Sequence, residues 1–176
     1  MMRATLLLCT LACTGGTRAS LGDDDDTSPQ STDGLVGDTG IETLTGPAEA
    51  ARESLFSDDE LPVFELTMTN QAISDLIDEP YEYVRGSLTY QGITYDNVAI
   101  RTKGENSWKP IDEKASLKID LNHYDDGPGD ILGLKKITLQ AMNEDYSMMH
   151  ERIGYRMFRE AGVPAARATH ALVYLN

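Results

Sequence analysis

The chain has 176 residues with 29 acidic and 15 basic groups, a net charge of −14, and 40% hydrophobic residues. A chain this acidic argues against general nucleic-acid binding, for which a basic face is the electrostatic footprint. Both cysteines, Cys9 and Cys13, fall in the first thirteen residues, so the rest gains nothing from disulfides.

The length suits one domain, and a polar front end leaves roughly 115 residues to build it. Met1 to Ala12 holds one early charge, Arg3, and then the apolar run Leu6-Leu7-Leu8-Cys9-Thr10-Leu11-Ala12. That run is short for a secretory signal and far too short to span a bilayer. Leu11-Ala12-Cys13 ahead of a Gly, Ser, Thr and Asp stretch resembles a bacterial lipoprotein signal, with Cys13 as the lipidated residue. Thr10 departs from that pattern, which prefers an aliphatic side chain there. A plainly cleaved signal and no export at all are the other two readings of residues 1–13.

Residues 14–60 read as a disordered acidic tether. They include Asp23 to Asp26 in a row and too little apolar surface to offset the entropy of ordering. Residues 1–60 carry 12 acidic and 3 basic groups, against 17 and 12 afterwards, so most of the acidity belongs to the tether. A short helix over Ala48–Phe56 is the alternative for its end.

From Leu61 the composition becomes that of a folded domain, 61–176, incomplete at its C-terminal end. Leu61 to Thr67 alternates as a strand, with Pro62 at its start where a missing amide is tolerated. A helix follows, capped by Thr69 or Asn70, striped by Ile73, Leu76 and Ile77, and ended by Pro80. Tyr83–Tyr90 and Ile93–Lys103 read as strands joined by a tight Gln91-Gly92 turn. Ser116–Leu121 and Leu134–Gln140 supply two more strands. The Asp- and Gly-rich loop between them lacks EF-hand spacing and reads as a solvated turn. The last helix, Met148–Ala161, takes Asp145 or Ser147 as cap and Gly162-Val163-Pro164 as stop. Ala168–Asn176 then alternates as a strand, with Asn176 in the place of a first hairpin-turn residue. The fold class is therefore α+β, an antiparallel sheet with packed helices.

Chemistry gathers on one predicted sheet face. Alternation puts Arg101 and Lys103 on one side of their strand, and Lys118 on the outward side of the next, with Ser116 and Asp120. Three cations on one face of an acidic chain make a candidate anion site, with the Gly104-Glu105-Asn106-Ser107 turn as a phosphate-covering loop. The plainer reading is a solvated sheet face. Glu151 falls within the apolar stripe of the last helix, where Met149, Ile153, Met157, Phe158 and Tyr155 lie away from the Arg152, Arg156, Arg159 and Glu160 arc. A carboxylate there needs a cation, and the three-cation face is the available supply. A strand lysine held by a helix glutamate is how protein kinases present a lysine to nucleotide phosphates. A structural ion pair is the competing account. His123, His150 and His170 lack the paired spacing of metal ligands, and the methionines 142, 148, 149 and 157 read as core packing.

Several ordered blocks carry a family resemblance: Gly92-Ile93-Thr94-Tyr95-Asp96-Asn97-Val98-Ala99-Ile100-Arg101-Thr102-Lys103-Gly104, Ser116-Leu117-Lys118-Ile119-Asp120, Ser147-Met148-Met149-His150-Glu151-Arg152 and Phe158-Arg159-Glu160-Ala161-Gly162-Val163-Pro164. Together with Leu61-Pro62-Val63-Phe64 they resemble the spore-coat protein H (CotH) kinase family over nearly everything after Leu61. The resemblance implies an atypical protein-kinase-like N-terminal lobe that uses ATP with Mg or Mn to phosphorylate Ser or Thr of secreted or surface proteins. It implies Lys118 as the nucleotide-phosphate lysine, Glu151 as its helix partner, and Arg101, Lys103, Gly104 and Ser107 as phosphate-side lining. Catalytic and metal-binding aspartates are expected beyond residue 176, so none is assigned within the chain. The implied setting is the cell envelope, with the membrane reached only through a lipid at Cys13. The rival reading is a surface adhesion or scaffold module with the same fold and no phosphotransfer.

Overall fold

In the computed structural model, residues 3–5 and 47–176 are described. The leader beyond Arg3–Thr5, including Cys13, and the tether as far as residue 46 lie outside them. The elements in chain order are β1 (Arg3–Thr5), α1 (Pro47–Leu55), β2 (Val63–Met68), α2 (Asn70–Asp78), β3 (Val84–Tyr90), β4 (Ile93–Lys103), β5 (Ser116–Asp120), β6 (Lys136–Leu139), α3 (His150–Glu160) and β7 (Leu172–Leu175). Strands outnumber helices and form one sheet in the order β1-β7-β2-β3-β4-β5-β6, so the fold is α+β.

The β2–β6 half is a meander whose register follows its turns. Gln91 and Gly92 close the β3–β4 hairpin with φ of 49° and 77°, the left-handed pair that a twisted two-residue turn requires. A Cβ at Gly92 would meet nothing within 4 Å, so only backbone strain opposes a side chain there. Gly92→Ala is expected to lower unfolding free energy by about 1–2 kcal/mol, the cost of left-handed backbone for an L-residue, as read from urea denaturation. An unchanged midpoint would show that the turn adopts another conformation.

One hydrophobic cluster runs under the sheet. Phe64 and Leu66 of β2 alternate inward as read from sequence, and Met68 continues the pattern, joined by Leu88, Val98, Ile100, Leu117, Ile119, Ile137 and Leu139 from the following strands. α2 covers β3 with Ala72 and Leu76, its first turn capped by Thr69, whose hydroxyl accepts the Ala72 amide at 3.1 Å.

Three expectations are corrected. The sheet is not wholly antiparallel, because β7 pairs parallel to β2, with Phe64 opposite Val173. The Asn176 side-chain amide accepts from the Met68 amide at 2.8 Å and donates to the Met68 carbonyl at 2.7 Å, extending the β2–β7 ladder. The tether does not reach residue 60, since α1 is helical and Leu55 and Phe56 are buried in the core. Finally, α3 buries none of its own residues: Ile153, Met157 and Phe158 of the apolar stripe are exposed, so Met157 is not core packing. The helix is tied to the body through polar contacts instead. Arg152 meets His170 at 3.1 Å, and the other ring nitrogen of His170 lies 2.7 Å from the Met148 carbonyl.

The acidic loop between β5 and β6 is a turn network. Asp126 pairs with Arg85 at 2.9 Å and the Asp130 carboxylate accepts the Gly133 amide at 2.9 Å, which uses these oxygens locally. Among the described residues, no helix is long and apolar enough to cross a membrane.

Candidate functional site

β4 and β5 deliver the three cations by register. Arg101 and Lys118 are direct cross-strand partners, and Lys103 lies two residues along β4 from Arg101, opposite Ser116. The period of two in a strand places all three on the face away from the core, while Ile100, Leu117 and Ile119 point into it. Like charges side by side in a sheet are unfavourable, so the arrangement needs counter-charge.

Part of that counter-charge comes from α3. Lys103 is half-buried, and burial holds its ammonium below the ordinary lysine range. The Glu151 carboxylate pulls it back up, while Lys118 and Arg101 push it further down. Glu151, in the first turn of α3 and itself half-buried, therefore acts electrostatically on Lys103. The Lys103 ammonium also donates to the Gln140 side-chain carbonyl at 2.5 Å. Arg101 donates to the Thr102 carbonyl at 3.1 Å and sits 5.4 Å from the Tyr83 ring.

The face is less open than alternation alone suggests. Ser116 and Asp120 were expected to point to solvent with Lys118, yet both are buried. Ser116 accepts the Ala141 amide at 2.9 Å, and Asp120 pairs with Lys136 at 2.8 Å and accepts the Asn122 amide at 3.1 Å. Only Lys118, between them on the strand, remains half-exposed on that side.

The Gly104–Ser107 turn is anchored at both ends. Gly104 has φ of +115°, and a Cβ there would lie 3.2 Å from the Trp108 nitrogen, so the tight return needs glycine. The Tyr81 hydroxyl donates to the Gly104 carbonyl at 2.9 Å, and the Trp108 indole donates to the Thr102 hydroxyl at 3.0 Å. Asn143 donates to the Ser107 carbonyl at 3.4 Å and to that of Lys114 at 3.1 Å. Glu105 is exposed at the turn's tip.

Gln140 and Asn143 are the site residues that the sequence reading missed. Gln140 continues the β6 alternation past Thr138, the register partner of Lys118, so strand periodicity alone could have placed it on the cation face. Asn143 had no such signal, because it follows the end of the strand.

α3 is set in place by Asp145. Its carboxylate accepts the Ser147 hydroxyl at 2.6 Å and the amides of Ser147 and His150 at 3.0 and 2.9 Å, with the His150 ring 2.9 Å away. Asp145 thus serves as the helix start expected of it, although Met149 occupies the N-cap position itself. The Ser147 hydroxyl, then the His150 and Ser147 amides, hold its carboxyl down to about 2. A folded-state value below the unfolded one contributes stability above the unfolded value, 3.8, and loses it as pH falls toward about 2. The His150 amide is expected to stay in its hydrogen-bonded position down to pH 4 and to shift between pH 4 and 2, followed by nuclear magnetic resonance. Asp145→Asn should abolish that pH dependence. A shift that persists in the variant would assign it to another group.

His123, His150 and His170 all have local partners, in line with the structural reading of them. Among the described residues, no three His, Cys, Asp or Glu side chains are grouped to hold a metal ion.

An α+β domain presenting three cations and a helix carboxylate on one sheet face is the class these features define. Residues 100–176 match the family model described as CotH kinase protein, and over these residues the chain is similar to that family. The match runs from the end of β4 through β7 and includes Arg101, Lys103, Gly104, Ser107, Lys118 and Glu151. No curated protein matches the chain.

Proposed function

We propose that this sheet face grips the phosphate chain of ATP, as the nucleotide-holding lobe of an atypical protein kinase acting on Ser or Thr of secreted or surface proteins. The observation that carries the reading is the action of Glu151 on half-buried Lys103, with Lys118 and Arg101 beside it. The resemblance assigned the phosphate lysine to Lys118. Glu151 acts on Lys103, which makes Lys103 a candidate for that role beside Lys118.

The donor set suits polyphosphate. Three cations share the face, Arg101 brings a guanidinium fork, and the ammonium groups act as point charges. The Gly104–Ser107 turn, clamped by Tyr81 and Trp108, would cover the phosphates, with exposed Glu105 turned from them. Phosphoryl transfer depends mainly on positioning and charge neutralisation. The substrate hydroxyl oxygen bonds to the γ-phosphorus as the bond to the bridging β–γ oxygen breaks, ADP leaves, and the hydroxyl proton passes to a base. Within this chain, Lys103, Lys118 and Arg101 orient the phosphates and offset their charge. Mg²⁺ or Mn²⁺ would arrive with ATP and supply further neutralisation.

Export, with a lipid on Cys13 as the anchor, belongs to the same reading and is supported by the composition of the leader. The testing experiment is a thermal melt of the chain with ATP and MnCl₂. A ligand at about 100 times its dissociation constant adds roughly 2.7 kcal/mol of stability. A melting curve indifferent to ATP would sink the nucleotide reading and favour the adhesion or scaffold module.

A further inference from the structure

Four arginines converge on one cleft away from the sheet's cation face. Arg152, Arg156 and Arg159 come from α3, and Arg167 from the extended segment before β7; they border a cavity of about 410 Å³ with Asp58 and Glu160. At 100° per residue the three helix arginines form one arc, and Glu151 lies on another side of α3. Arg101, Lys103 and Lys118 do not line this cleft.

Four guanidinium groups against two lining carboxylates is an excess of positive charge in a chain whose net charge is −14. Arg152, whose side chain is 24% exposed, meets Asp58, which is 67% exposed, and Arg156 meets Glu160 at 2.8 Å, a pair with both side chains about two-thirds exposed. The exposed Arg156–Glu160 pair contributes little. Arg159 donates to the Ala166 carbonyl and has no carboxylate partner among the described residues. Arg167 is held from outside the cleft by Glu53 at 3.0 Å and lies 4.5 Å over the Phe56 ring.

We propose that this cleft is a second anion site and takes a phosphoserine or phosphothreonine of a protein chain. A further carboxylate would gain nothing that Asp58 and Glu160 do not already provide. A phosphomonoester carries nearly two charges and three strong acceptor oxygens, enough to engage Arg156, Arg159 and Arg152 together while Asp58 and Glu160 swing into solvent. Ala168, half-buried in the lining, gives a residue flanking the phosphate an apolar contact that a free ion would not use.

The test is fluorescence anisotropy on the full chain, with a labelled Gly/Ser peptide bearing one central phosphoserine, its unphosphorylated twin, and inorganic phosphate as competitor. The phosphopeptide is expected to bind at least about tenfold more tightly than its twin, as charge-assisted bidentate contacts imply. Arg156→Gln with Arg159→Gln should remove that preference, while Lys103→Met leaves it intact. If the double variant fails to fold, Arg159→Lys, which keeps the charge and loses the fork, should still weaken the phosphopeptide several-fold. Equal binding of the twins, or phosphopeptide binding indifferent to these arginines, would overturn the site. Competition by inorganic phosphate at the same concentration as the phosphopeptide would assign the cleft to free phosphate and overturn the protein ligand. The ATP-induced melting shift reports on the other face, so failure of one site is separable from failure of the other.

Discussion

Lys103→Met is expected to melt at least as high as the unchanged protein and to lose the stabilisation conferred by ATP with Mn²⁺. Burial is the largest influence on Lys103 and pushes its pKa below the ordinary value of 10.5, outweighing the opposing pull of Glu151. A lysine whose folded value lies below its unfolded one destabilises the fold fully at pH below the folded value. That penalty fades as pH rises toward 10.5. Below the folded value the whole penalty is present, and removing the ammonium removes it. The methionine retains the apolar stem, so packing changes little. Binding, in contrast, loses the cation that Gln140 holds in position and Glu151 acts on, and with it most of the shift of roughly 2.7 kcal/mol expected near saturation. Under the proposed function, phosphotransfer from γ-labelled ATP should fall by orders of magnitude, because that chemistry rests on held charge. Parallel melts with and without nucleotide decide the matter. A variant that melts lower yet responds normally to ATP would reverse both halves of the prediction, and the same melts on Lys118→Met rank the two lysines.

Thr102→Val is expected to cost about 1–3 kcal/mol, the usual consequence of leaving a polar group without its buried partner. Thr102 is completely buried, and its hydroxyl donates to the Pro80 carbonyl at 2.6 Å while accepting the Trp108 indole at 3.0 Å. Valine fills the same space and does neither. The Pro80 carbonyl keeps a second donor, the Thr102 amide at 3.1 Å, so the loss falls chiefly on the indole N–H. Trp108 closes the Gly104–Ser107 turn, and its release should therefore also weaken ATP. Urea unfolding gives the first effect and nucleotide titration the second. A loss of stability with unchanged ATP affinity would show that the turn does not cover the phosphates.

Much of the fold was legible because its signals are local. Alternation at Phe64 and Leu66, the Gln91-Gly92 turn and the Thr69 cap each depend on neighbours within a few residues, and each recurs in the structure. The cation face was legible for the same reason, since a period of two and an antiparallel pairing suffice to bring Arg101, Lys103 and Lys118 together. The apolar stripe of α3 misled because amphipathicity says which residues share a side and not which side is covered. Here the helix meets the body through Arg152 and His170, and Ile153, Met157 and Phe158 stay exposed. The burial of Ser116 and Asp120 escaped because Ala141 and Lys136 lie beyond their own strand.

By itself, the order of residues determined the strands and helices after Leu61, the three-cation face, and the likeness to CotH kinases that residues 100–176 confirm. Only the tertiary structure decided that β7 runs parallel beside β2, that Leu55 and Phe56 enter the core, and that Glu151 acts on Lys103. Periodicity and turn chemistry are properties of adjacent residues, whereas pairing between distant segments and the field at a charge depend on what the folded chain brings near and shields from water.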